Sequence, residues 1–215
     1  MGGCTLCPRM CGADREHGEL GFCGMPAEIY AARAALHFWE EPPISGEKGS
    51  GAVFFSGCSL GCGFCQNTEI SQGKFGKAIS TQRLREIFGE LMDQGAHNIN
   101  LVTPTHFLPQ ILPALEPKLP VPVVYNCGGY ERVETLRMLE GKVDIYLPDL
   151  KFAEPELAKQ LCSAADYFPV AARAIDEMLR QVGRPVYGED GMLKKGVIIR
   201  HLVLPGQVQN SLKVL

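Results

Sequence analysis

The chain has 215 residues, 46% of them hydrophobic and 21% charged, which is room for one large or two small domains around a buried core. A formal net charge of -3 leaves no broad cationic field, so bulk attraction to nucleic acid or to an anionic membrane is excluded as a function class. No apolar run reaches the roughly 18–20 residues that span a bilayer, and "MGGCTLCPRM" lacks the basic-then-apolar layout of a secretory signal.

Nine cysteines without an export signal predict a reducing, cytoplasmic setting in which thiols bind metal or catalyse. Residues 1–50 are rich in cysteine, glycine and proline, are weakly periodic and run into a turn-like "EPPISGEKGSG" at 41–51. They read as a metal-binding segment ahead of a core domain at 51–215. From residue 52 onward, short apolar runs alternate with amphipathic stretches. "AVFFS" (52–56) predicts a first strand. Ser80 or Thr81 caps a helix whose apolar side is Leu84, Ile87, Phe88, Leu91 and Met92, ending near Gly95. "INLVT" (99–103) predicts the second strand, and "THFLPQILPAL" (105–115) a short or kinked helix because it carries Pro109 and Pro113. "VPVVYN" (121–126) and "VDIYL" (143–147) predict the third and fourth strands, around a helix at 131–140 that buries Val133, Leu136 and Leu139. Tyr167, Ala171, Ala174, Ile175, Met178, Leu179 and Val182 mark the strongest helix, stopped by Gly183, and "VIIRHLVL" (197–204) predicts the fifth strand.

The strand runs are continuous rather than alternating, as in parallel strands buried on both faces. Strand–helix alternation then means an α/β fold with a parallel sheet, open or curled into a barrel, and chemistry at the carboxyl ends of its strands. A barrel calls for at least one strand more than five. The chain stops soon after "LPGQVQNSLKVL", where another helix begins, so a truncated barrel is expected.

"GCSLGCGFCQN" (57–67) follows the first strand directly and carries Cys58, Cys62 and Cys65. Gly57, Gly61 and Gly63 permit the positive φ angles that wrap backbone around a bulky centre. Two readings stay open on spacing alone. One is a zinc knuckle with a fourth ligand from elsewhere, Cys127 being the obvious donor. The other is a [4Fe–4S] cluster with three protein thiolates and one iron left open for a substrate, since such clusters normally take four. Cys4, Cys7, Cys11 and Cys23 form a set of four, which closes a site: structural zinc or an auxiliary iron–sulfur cluster, with Pro8 after Cys7 echoing ferredoxin-like ligation. Cys162 reads as a buried, unpaired thiol in a helical region.

The spacing Cys-x3-Cys-x2-Cys, with Phe64 before the last cysteine and a strand before the first, is similar to the radical S-adenosylmethionine (SAM) superfamily. "CTLCPRMCGADREHGELGFCG", "EEPPISGEKGSGAVFFSGCSLGCGFCQN", "GAHNINLVTPTHF", "VDIYLPDLKF" and "IIRHLVLPG" resemble its pyruvate formate-lyase activating enzyme-like group, over almost the whole chain. The resemblance implies a partial (β/α)6 barrel and a [4Fe–4S] cluster on Cys58, Cys62 and Cys65. It also implies SAM on the open iron, cleaved reductively to methionine and a 5′-deoxyadenosyl radical that abstracts hydrogen. An electron donor such as flavodoxin or ferredoxin and, for the activating group, a glycyl radical enzyme are the implied partners. The alternatives are a radical SAM enzyme acting on a small molecule or peptide, and a zinc-bound interaction module without catalysis.

The resemblance also implies cofactor contacts at Phe64, Thr103, Thr105, Asn126, Asp149, Lys151 and Arg200. "LVTPTHF" lies where related proteins carry a Gly-Gly-Glu motif against the SAM amino group; no glutamate stands here, so Thr103, Thr105 and backbone carbonyls must substitute. Thr105 as a helix N-cap is the alternative. Asn126 replaces an aspartate that serves a cation site in related activating enzymes, so no cation is carried over. Asp149 and Lys151, two residues apart on one strand face, resemble the family's Asp-x-Lys pair beside SAM and are the candidate catalytic groups; a plain ion pair is the alternative. Of the neighbours Arg200 and His201 only one can face the interior, and Arg200 is preferred as a SAM carboxylate anchor. His37, His97 and His106 are read as structural.

Overall fold

The computed structural model describes residues 3–73 and 75–215. Its strands are β1 (Ile29–His37), β2 (Ser50–Phe55), β3 (Lys77–Ile79), β4 (Ile99–Val102), β5 (Val123–Cys127), β6 (Ile145–Pro148), β7 (Val186–Tyr187) and β8 (Leu193–Val197). They form one eight-stranded sheet in the order β3-β1-β2-β4-β5-β6-β8-β7. The five parallel strands β2, β4, β5, β6 and β8 fill the middle. β5 and β6 are buried along their whole length, which is why their sequences read as unbroken apolar runs.

Two features depart from the predicted barrel. The sheet is open, with antiparallel edges: β1 pairs with β2 and β3, and β7 with β8. β1 was invisible because "IYAARAALH" is alanine-rich, carries an exposed Arg33 and bends at an irregularity between Ala31 and Arg33. It lies in residues 1–50, so the sheet runs across the compositional boundary at 50/51. The fifth parallel strand also sits upstream of "VIIRHLVL". "LKKGV" looks polar because this strand is next to the sheet edge and is only half covered. The bonding continues past it: Ile198 and Arg200 donate N–H to the carbonyls of Tyr146 and Pro148, at 3.0 and 2.9 Å, and residues 201–204 then leave the sheet.

The helices are α1 (Pro42–Ser45), α2 (Thr68–Ser71), α3 (Thr81–Asp93), α4 (Leu108–Ile111), α5 (Val133–Arg137), α6 (Pro155–Cys162), α7 (Tyr167–Val182) and α8 (Val208–Val214). Ser80 caps α3, its hydroxyl accepting the Arg83 N–H at 3.0 Å. Residues 105–115 break into 3-10 turns around the four-residue α4, as Pro109 and Pro113 require. α5 is shorter than predicted and Val133 is only half-buried, while Leu179 on α7 is exposed rather than part of its apolar side.

Alternation divides the side chains of the sheet between two cores. Val53, Phe55, Leu101, Tyr125 and Tyr146 pack against Leu84, Phe88 and Leu91 of α3 and Ala174 and Met178 of α7. On the other face Val124, Ile145 and Leu147 meet Ile44 of α1, Leu193 and the partly buried Ile198. That second layer is thin, and it gives way to a cleft at the carboxyl ends of the parallel strands.

Candidate iron–sulfur centre and cofactor cleft

After β2 the chain turns at Gly57, whose φ of +80° suits glycine and whose missing Cβ makes room for the Cys23 carbonyl, 2.8 Å from where it would stand. The loop is then pinned from behind by α6. Gly61 and Gly63 donate N–H to the carbonyls of Cys162 and Leu161, at 3.4 and 3.0 Å, partnering carbonyls that a helix C-terminus leaves free. Gln72 Nε2 donates to the Cys62 carbonyl at 3.1 Å. Two thiols have polar neighbours of their own: the Leu60 N–H donates to Cys58 Sγ, and Cys65 Sγ lies 3.3 Å from Ser71 Oγ. Burial pushes the Cys58 thiol up to about 12, and contact with the Cys162 thiol, then burial, raises that of Cys62. Ligation must therefore displace protons from both.

Among the described residues no three His, Cys, Asp or Glu side chains converge on the span of a single metal ion. Cys127, the candidate fourth donor, is buried in the main core near Glu131, whereas Cys58, Cys62 and Cys65 belong to a separate cluster. Cys162 sits behind Cys62, fully buried, its thiol donating to the Ala158 carbonyl at 3.0 Å. Three soft thiols spread along one loop suit a multi-iron cluster, whose ligands stand further apart than those of one ion.

Cys62, Phe64 and Cys65 form one wall of a cleft of about 730 Å³, and Asn126, Asp149, Lys151 and Arg200 also line it. Cys62 and Arg200, 138 residues apart in sequence, thus meet in one cleft, while Cys58 is not part of its lining. Arg200 organises it. Its Nε donates to Asp149 Oδ1 at 2.9 Å, one terminal nitrogen to Glu40 at 3.2 Å and the other to Asn126 Oδ1 at 2.6 Å. Lys151 pairs with the second Asp149 oxygen. Burial lowers the Lys151 ammonium, yet Asp149 outweighs it and leaves its pKa above the ordinary lysine value. His201 instead bonds the Leu150 carbonyl at 2.7 Å and Ser211 Oγ at 2.8 Å, a structural role.

The sequence reading missed Glu40 and Glu41. Both line the cleft, and burial lifts the Glu40 carboxyl to about 7 against the pull of Arg200. They arrive from the end of β1, the strand that was also missed; the signal was two adjacent acids just before Pro42-Pro43. Thr103 and Thr105 do not line the cleft. Thr105 is buried, does not cap a helix, and bonds Tyr125 Oη at 2.9 Å and Glu131 Oε1 at 3.0 Å. His37 lines the cleft beside Phe54; His97 accepts the Lys48 N–H at 3.4 Å; His106 is buried against the Ser56 carbonyl. Two residues before Val102 on β4, Asn100 is fully buried with neither amide atom partnered.

Glu131 is buried against Thr105, Tyr125 and Cys127, and desolvation pushes it up to about 7. A carboxyl held that high keeps its proton in the folded chain. Its contribution to stability is complete below the ordinary glutamate pKa and is lost as pH rises through about 7. Glu131→Gln should therefore flatten stability against pH between roughly 4.5 and 7, by about 3 kcal/mol. His106, pushed down to about 4 by burial, acts in the opposite sense, so the quantity to read is the difference between wild type and variant in urea melts. An unchanged slope would place the Glu131 proton elsewhere.

The N-terminal thiols gather partially. Burial first, and then the neighbouring thiols, raise the pKa of Cys7 and Cys23, Cys4 being close to both; Cys11 is exposed at the edge, 4.0 Å from the Cys4 carbonyl. Burial pushes Cys7 up to about 11, and Arg15 stands 3.7 Å from Cys4 Sγ.

Together these elements define an open α/β sheet with a three-thiol loop facing a charged cleft. The family model for a 4Fe-4S single cluster domain matches residues 44–108, the stretch that holds Cys58, Cys62 and Cys65. The chain is 34% identical over 215 residues to the uncharacterized protein MJ0674 of Methanocaldococcus jannaschii, a match over 95% of this chain and 58% of that protein. It thus spans a little over half the length of this relative. Among solved structures, Streptococcus suis SuiB bound to precursor peptide SuiA superposes with a TM-score of 0.48 and 17% identity, over 73% of this chain and 34% of that one. No helix of the described residues is long and apolar enough to cross a membrane.

Proposed function

We propose that this chain is the catalytic core of a radical SAM enzyme, with Cys58, Cys62 and Cys65 holding a [4Fe–4S] cluster and the adjoining cleft holding SAM. The observation that carries this reading is that the three-thiol loop and the Asp149–Lys151–Arg200 constellation share one cleft while Cys127 is buried in the main core and does not line it. When bound, a cluster with one iron free of protein ligands supplies the electron that splits the sulfonium cofactor into methionine and a hydrogen-abstracting radical. The chain's own part is to bind and orient. Arg200 is a fork of donors suited to the cofactor carboxylate. Glu40, between Arg200 and Asn126, is the acceptor for the cofactor ammonium and takes the place of the absent Gly-Gly-Glu glutamate. Lys151 holds Asp149 in position, and Phe64, edge-on to Phe152 at 6.0 Å, gives the cleft an apolar wall.

The finer reading is that hydrogen is taken from a glycine of a partner enzyme, with flavodoxin or ferredoxin as electron donor; it is supported by the sequence resemblance. Nine free cysteines fit a cytoplasmic, reducing setting for it. The test is anaerobic reconstitution with iron and sulfide, then dithionite and SAM, with 5′-deoxyadenosine assayed by chromatography. Product dependent on the cluster supports the proposal. A colourless, zinc-loaded chain that forms none rejects it.

A further inference from the structure

We infer that Arg9 is a positioning residue that ties the N-terminal thiol loop to the cluster loop, so that the two cysteine sets are built as one unit. This rests on the reading of Cys58, Cys62 and Cys65 as cluster ligands. Arg9 lies between Cys7 and Cys11, yet its three guanidinium nitrogens all reach outside its own loop. Nε donates to the Ser59 carbonyl at 2.8 Å, inside the cluster loop. The other two donate to the carbonyls of Ser163 and Cys162, where α6 ends behind Cys62. A cation at a helix C-terminus also meets the negative end of the helix dipole. The guanidinium plane is held in turn by the Phe22 ring, 3.8 Å away, and by Tyr130 at 5.3 Å.

Phe22 precedes Cys23, so the stack is itself part of the N-terminal loop. Two further contacts bracket the clamp. The Cys23 carbonyl approaches Gly57, and the Phe22 ring tip would stand 3.5 Å from a Cβ on Gly61. The N-terminal loop therefore touches the cluster loop at residues 57, 59 and 61, on both sides of Cys58 and next to Cys62. An ordered N-terminal loop fixes Arg9 and Phe22, and through them the backbone that presents the catalytic thiols. A lysine at position 9 keeps the charge but has no planar fork to serve Ser59 and Ser163 together.

The test uses the anaerobically reconstituted chain and measures loss of cluster absorbance to a ferrous chelator, with the electron paramagnetic resonance spectrum of the dithionite-reduced cluster alongside. Signal that survives a Cys58→Ala/Cys62→Ala/Cys65→Ala chain belongs to the N-terminal thiols and is subtracted. Arg9→Ala should release the catalytic cluster on the order of tenfold faster, as expected for lost charge-assisted hydrogen bonds. Its reduced spectrum should shift or broaden, while the thermal melt of the metal-free chain stays close to wild type. Arg9→Lys, which covers the case in which the alanine variant does not fold, should not restore the wild-type rate. Cys7→Ser, which puts a hydroxyl in place of a buried thiol two residues before Arg9, loosens that loop and should speed release in the same way. Wild-type release and spectrum in both Arg9 variants, or wild-type release in Cys7→Ser, would overturn the coupling. A wild-type chain that holds its cluster but does not cleave SAM would instead count against the catalytic reading and leave this one standing.

Discussion

Cys62→Ala should abolish both the cluster absorbance assigned to the 57–67 loop and all detectable 5′-deoxyadenosine formation. Two thiolates leave two irons of a cubane without protein ligands, which is a loss of the site rather than a weakening of it. Cys127→Ala is the informative partner. Because the Cys127 thiol is buried in the main core, away from the cleft, that variant should keep both cluster and turnover, at a stability cost of about 1–2 kcal/mol for the lost buried packing. Iron per chain, visible absorbance and product yield would be read side by side. Bleaching of the cluster by Cys127→Ala would mean that a fourth protein thiol closes the centre, and the open-iron proposal would fail.

Arg200→Ala should raise the Kd for SAM about a hundredfold or more, since roughly 3 kcal/mol of charge-assisted bonding to a carboxylate is lost. The same change strips three protein partners, Asp149, Glu40 and Asn126, of their shared donor. A fully buried pair broken in this way costs 3–5 kcal/mol. Arg200 keeps 28% of its side chain exposed, so a loss of about 2 kcal/mol is expected. The loss should be larger at pH 8 than at pH 6, because Glu40, already raised to about 7 with Arg200 present, is ionised and unpaired only at the higher pH. Arg200→Lys should recover part of the stability and little of the binding, since an ammonium cannot bridge three acceptors as the planar fork does. Equilibrium binding at both pH values, with urea melts, separates the two effects. Unchanged affinity in Arg200→Ala would remove this residue from the cofactor site.

What could be read from the linear chain was whatever local pattern and covalent spacing enforce. The five apolar runs became four parallel strands and part of a fifth, because burial on both faces leaves no room for polar alternation. Ser80 as a cap and the broken helix at 105–115 followed from single residues whose backbone chemistry is local. The three-thiol loop was legible for the same reason: its ligands lie within eight consecutive positions. Asp149, Lys151 and Arg200 stood at strand ends, where a parallel sheet gathers its chemistry.

Only the tertiary structure decided the rest, since long-range pairing leaves little mark on either partner's sequence. β1 carries no strong strand pattern and exists through its ladder with β2. Glu40 enters the cleft because that ladder delivers it opposite Asn126 and Arg200. Thr105 and Cys127 sit at strand ends like true site residues, and packing against Glu131 turns them into the core. Residue spacing determined which thiols must meet on one loop; the packing of distant segments determined which charges face them, because side-chain direction depends on neighbours that the chain brings together only by folding.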